Sequence, residues 1–150
     1  MMRLPFAALV LCAGFANADD AAAKKFLKDL EGSYAVTGMT RGGEAASDDF
    51  LKGLTITIKG DTLTATIRWK EGDQNNAGIL VVDPSQKPIA IDMTPKDGPD
   101  AGKPVLGLIK VEGNTVTICW GDRHGKAERP KDFSSTKENK HLLMVLKKAN

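Results

Sequence analysis

Histidine is nearly absent from this chain of 150 residues: only His124 and His141 occur. A nucleophilic hydrolase needs a base beside its Ser, Thr or Cys. Both histidines stand in polar surroundings, and no local catalytic motif includes either of them. Cysteine is equally scarce, with only Cys12 and Cys119. Charge of one sign is not in excess, so the chain exerts no long-range pull on nucleic acid or anionic lipid. Its lysines are scattered, and Lys24-Lys25 and Lys147-Lys148 are pairs rather than patches. After Phe15 no stretch approaches the roughly 20 apolar residues that a membrane-crossing helix needs. Internal repeats and low-complexity segments are missing too.

What is present begins with an export pattern. Met1-Met2-Arg3 is followed by a mostly apolar run from Leu4 to Phe15, then Ala16-Asn17-Ala18 before Asp19-Asp20. A basic start, a short apolar segment and a small-x-small site are the three parts of a secretory signal. The run is too short for a spanning helix, and Pro5 interrupts it. A lipoprotein signal through Leu9-Val10-Leu11-Cys12 fits less well, since Leu11 stands where a small residue belongs. Cleavage is expected after Ala18, which places the mature protein in the periplasm or outside the cell. Cys12 leaves with the leader, so Cys119 has no partner for an internal disulfide. It follows Thr117-Ile118 in a strand pattern and is expected to be a buried small hydrophobe. The mature chain, 19–150, keeps 20 basic and 19 acidic residues and has the length of one domain. Folding at that size hides about two-thirds of the chain surface, so an apolar core suffices without staples.

Residues 20–31 are helix formers with Phe26, Leu27 and Leu30 on one face, stopped by Gly32. A second helical turn is expected at 45–51, started by Ser47-Asp48-Asp49. Elsewhere the pattern has period two. Leu54, Ile56 and Ile58 alternate with Thr55, Thr57 and Lys59; after Gly60-Asp61 come Leu63, Ala65, Ile67 and Trp69. This predicts a β-hairpin. A second hairpin joins 105–111 to 115–120 through Glu112-Gly113-Asn114. Further strands are expected at 33–39, 79–82, 89–93 and 142–147. Segments 71–77, 94–103 and 121–141 read as irregular, being polar and rich in turn formers. Eight strands with short connections and no intervening helix favour an all-β antiparallel meander, barrel or sandwich. Closure is attractive because it removes exposed edges.

Asp83 to Asp92 (DPSQKPIAID), Gly98-Pro99, Gly102-Lys103, Leu106-Gly107, Cys119 at its strand end, Glu128-Arg129-Pro130 with Phe133, and the closing 142–148 resemble, in order and spacing, a family of small exported domains of unassigned function common in planctomycetes. The resemblance runs from about Leu30 to Lys148. It implies a lipocalin-like barrel of eight strands, plugged at one end by the N-terminal helix. In lipocalins a Gly-x-Trp opens the first strand; here the helix is followed by Gly32-Ser33-Tyr34, a departure of Tyr for Trp. The resemblance implies a closed-end pairing of Tyr34 with a basic side chain of the last strand, Lys147 or Lys148. The alternative is a Tyr34 that is plain core with its hydroxyl at the rim.

Several apparent motifs fail on their own chemistry. Gly98–Lys103 lacks the first glycine and the Ser or Thr of a phosphate loop, since positions 97 and 104 hold Asp97 and Pro104. Asp122, His124 and Glu128 come from one loop and are too few for a closed metal site. Asp83 and Asp92 could be drawn as a glycosidase pair, yet Asp83 before Pro84 is explained by an Asx turn. Asp92 shares a face with Ala90 and Thr94; if that face is interior it needs a cationic partner. Lys103 and Arg129 are the candidates, with an ion pair pinning the loops preferred over a ligand anchor. No catalytic residue, metal or cofactor is expected. The leading expectation is a non-enzymatic module for a small apolar or amphipathic ligand, with Trp69 or Trp120 in the wall and Asp92, Lys103 and Arg129 as polar candidates. The alternative is an interaction module for an envelope protein, acting through the loops 94–103 and 121–141. A cavity of about 300 Å³ or more favours the former, a filled barrel the latter.

Overall fold

The computed structural model describes residues 13–124 and 127–149, with side chains from Asp20 onward. Residues 1–12, the greater part of the expected leader and Cys12 with it, lie outside the described residues. Helix α1 spans Ala13–Leu30, so the expected cleavage point after Ala18 falls within it and the expected helix over 20–31 is its C-terminal part. No described helix is long and apolar enough to cross a membrane.

After α1 come β1 (Gly32–Arg41), β2 (Glu44–Ala45), α2 (Asp48–Lys52), β3 (Leu54–Lys59), β4 (Thr62–Trp69), β5 (Gly72–Asp83), β6 (Ile89–Pro95), β7 (Val105–Glu112), β8 (Thr115–Trp120) and β9 (Leu142–Lys148). Each of the strands from β3 to β9 pairs antiparallel with the next; β1 pairs with both β3 and β9, which closes the sheet. The result is the expected eight-stranded antiparallel meander barrel, with β2 as a two-residue addition to the end of β1. Closure gives each of the eight strands a partner on both sides, with residues 72–77 of β5 paired to β4 alone.

Alternation supplies the core. Leu54, Ile56 and Ile58 all point inward and are at most 5% exposed. At one end the barrel is shut. Here lie the short turns β3–β4, β5–β6 and β7–β8, and α1 lays Phe26, Leu27 and buried Leu30 against the core. Two hydrogen bonds fasten the helix end: the Tyr34 hydroxyl donates to the Leu30 carbonyl at 2.6 Å, and the Gly60 amide donates to the Glu31 carboxylate at 2.8 Å. The longer connections all gather at the opposite end.

Four expectations need correction. Segment 71–77 is not irregular: β5 begins at Gly72 and pairs with β4 down to Trp69. Residues 72–76 of β5 extend past the end of β6, so both of their faces meet water and no apolar alternation marks them. Around Ser47, residue 45 belongs to β2 and the helix starts only at Asp48. Lys147 does not face Tyr34; it stands opposite Ala35 and is exposed, while Lys148 is across from Tyr34. Tyr34 is buried core at 2% exposure, and its hydroxyl caps α1. Finally, Asp92 points outward, because Ile91 and Met93 of the same strand belong to the interior.

Between β8 and β9, residues 129–135 lie as a strap on the outer wall. Arg129 reaches across β6 and β7, Phe133 meets Lys110 of β7 at 4.9 Å, and Ser135 bonds to the His141 carbonyl and the Gly43 amide. Beneath it Ala90, Leu108 and Cys119 are buried although they face away from the lumen.

Candidate functional site

The barrel is not filled. A cavity of about 390 Å³ opens at the end opposite α1. Ile56, Leu63, Ile118 and Leu146 form its lower part, and Ala65, Met93 and Trp120 stand higher. These walls follow from the sequence pattern, since each comes from the inward-pointing set of its strand. Trp120 is 5% exposed. Its place depends on Gly107: a Cβ there would come within 2.7 Å of both the Cys119 carbonyl oxygen and the Trp120 ring.

The two candidate tryptophans therefore have different places. Trp120 is wall. Trp69, at the tip of β4, is 48% exposed and does not line the cavity. Its Nε1 donates to the Gln74 side chain at 3.1 Å, and its ring packs at 6.5 Å on Phe50 of α2, which itself lines the cavity.

The polar candidates lie elsewhere. Arg129 and Asp92 form an ion pair of 2.7 Å, and the same Arg129 nitrogen donates to the Gly107 carbonyl at 2.9 Å. Both side chains are about one-third exposed in a shallow groove of the outer wall, with Val81 and Gln86 beside them. The pair ties the strap to β6 and β7, as the loop-pinning expectation has it, and neither residue reaches the lumen. Lys103 is exposed and its backbone closes a turn on Asp100; it does not join Asp92. Asp83 forms the expected Asx turn, accepting the Ser85 amide at 3.1 Å and its hydroxyl. Those hydrogen bonds hold its carboxyl below the usual range.

Folding also brings Cys119 to 3.8 Å from the His141 ring, a meeting that no local motif announces. The thiol is fully buried, and burial pushes its pKa up to about 11. His141 Nδ1 lies 3.0 Å from the Ser134 carbonyl, which can only accept, so this nitrogen carries its proton and donates there. It is then unable to take the thiol proton. A nucleophile needs the thiolate, and this arrangement keeps the thiol protonated.

Among the described residues, the charged groups that line the cavity stand at its mouth. Arg41 and Lys140 stand on the β1–β9 side, Asp97 and Asp100 on the β6–β7 loop, and Asp122-Arg123 between them at the end of β8. Sequence reasoning missed Arg41 for a specific reason. A bulge between Val36 and Gly38 shifts the register against β9, so inward parity passes from Tyr34 and Val36 to Met39 and Arg41. The five loop residues, Asp97, Asp100, Asp122, Arg123 and Lys140, could have been found only by knowing at which end of the barrel their loops lie.

Set beside known proteins, the chain matches no family model, no curated sequence and no solved structure.

Proposed function

We propose that this domain is a non-enzymatic binding module whose lumen takes the apolar part of a small apolar or amphipathic ligand. The observation that carries the reading is the open apolar cavity of about 390 Å³, within the range of about 300–1,000 Å³ typical of small-molecule sites. Binding would draw on burial of ligand surface, at about 25 cal/mol per Å² of apolar area. Trp120 contributes wall, and Phe50, on which Trp69 packs, shapes the approach. The Met1–Ala18 pattern supports export to the periplasm or beyond, and the resemblance to exported lipocalin-like domains agrees with a holding role. The interaction-module alternative drew its support from a filled interior, which an open lumen does not give.

The test uses Trp120 as reporter. The chain has two tryptophans, so Trp69→Phe leaves Trp120 alone in the cavity wall. Titration with a long-chain primary alcohol should give a saturable, one-site change in its emission. An unresponsive Trp120, together with bare protein in native mass spectra of material from its own host, would overturn the reading.

A further inference from the structure

The mouth of the cavity carries both signs of charge, and they are separated. In the closed order β1-β3-β4-β5-β6-β7-β8-β9, the junction of β9 with β1 and the β6–β7 loop lie three strand steps apart around a ring of eight. Arg41 pairs with Leu142 at the first, and Lys140 precedes that same strand. Asp97 and Asp100 occupy the second, in a loop folded back by the Gly102 amide onto the Pro95 carbonyl. Between them Asp122 and Arg123 are adjacent and of opposite sign. Among the described residues, ion pairs form at Lys25–Asp29, Arg68–Asp73, Lys110–Glu112 and Arg129–Asp92; the rim charges take part in none of them. Below the rim the cavity wall is apolar apart from Asn76, which stands across from Ala65.

We propose, resting on the lumen-binding reading above, that the ligand is a single-chain amphiphile with a zwitterionic head. Its tail fills the lumen and its head lies across the mouth, the anionic group toward Arg41 and Lys140 and the cationic group toward Asp97 and Asp100. Three strand steps at about 4.8 Å each put the two groups of charge about 14 Å apart around the rim, beyond the screening length of about 8 Å at physiological salt. A head of one sign therefore finds counter-charge at one side of the mouth only. A zwitterion meets attraction on both.

Four probes of equal chain length separate the outcomes by calorimetry below their micelle concentrations: an alkyl phosphocholine, a fatty acid, an alkyltrimethylammonium and a primary alcohol. The phosphocholine should bind about five-fold more tightly than the alcohol, the worth of two exposed charge contacts, and more tightly than either singly charged probe. That margin should shrink in 1 M salt, where screening acts within about 3 Å. Arg41→Gln with Lys140→Gln, and separately Asp97→Asn with Asp100→Asn, should each reduce the margin of the phosphocholine over the alcohol measured on the same variant. Equal affinities for all four, or a singly charged probe as tight as the phosphocholine, overturns the head-group proposal and leaves lumen binding standing. If the alcohol also fails to bind, the lumen-binding reading itself falls.

Discussion

At Cys119 a single residue reports how dry the outer wall is beneath the strap. The thiol is buried, with the Ser134 carbonyl at 3.5 Å, and its pKa rises to about 11 because burial penalises the thiolate. An unfolded thiol ionises near pH 8.5. As pH rises, the unfolded chain therefore loses this proton before the folded one does. The stabilisation is complete below the unfolded value and is lost as pH climbs toward about 11. Folded protein at pH 8 should accordingly resist a thiol reagent such as iodoacetamide and react once urea unfolds it. Rapid labelling of the folded form would contradict this burial. Urea midpoints measured at rising pH should fall over the alkaline window, and Cys119→Ala should flatten that fall.

The elements around the mouth owe their positions to local chemistry. Ser47 caps α2: its backbone is extended, at φ −71° and ψ 154°, and its hydroxyl oxygen accepts the Phe50 amide at 3.2 Å. A helix of 5 residues cannot sustain itself, so the cap and the Phe50–Trp69 contact hold it together. Ser47→Ala should cost about 0.5–2 kcal/mol, seen as a lower urea midpoint, and should red-shift Trp69 emission as its ring partner loosens. An unchanged Trp69 spectrum would mean that α2 is held by other contacts. The β4–β5 hairpin shows the opposite balance. The outer part of its β5 strand, residues 72–76, is polar on both faces and is held by cross-strand pairs such as Thr66 to Asn75 at 2.7 Å.

For the molecule as a whole, closure of β1 on β9 is what turns eight half-buried strands into a vessel. The same packing that makes the closed end rigid leaves space above it, and that space is a cost in stability, since wall atoms facing a void lose contacts. Ala65 points into the cavity from the middle of β4. Ala65→Phe should fill part of the lumen, raise stability by about 0.5–2 kcal/mol and greatly weaken uptake of the alcohol probe. Opposite signs in thermal midpoint and ligand affinity are the signature of a cavity kept open at the expense of stability. A variant that binds as well as the native chain would place the ligand elsewhere.

Alternation in the sequence was enough to give most of the strands, because period-two patterning is a property of each strand alone; whether the meander closes as a barrel or stacks as a sandwich it left open. Leu54, Ile56 and Ile58 behave as their spacing demands. The helix stripe of Phe26, Leu27 and Leu30 was legible for the same local reason. Which face of β6 meets the lumen was not, since Ile91 and Asp92 alternate without stating a direction. Only the closed sheet decided that Asp92 lies outside with Arg129, and only the bulge in β1 turned Arg41 inward. The mouth, with charges drawn from β1, the approach to β9 and two loops, exists in no stretch of sequence. It is made by bringing together residues up to about a hundred positions apart, which is the work of long-range pairing rather than local propensity.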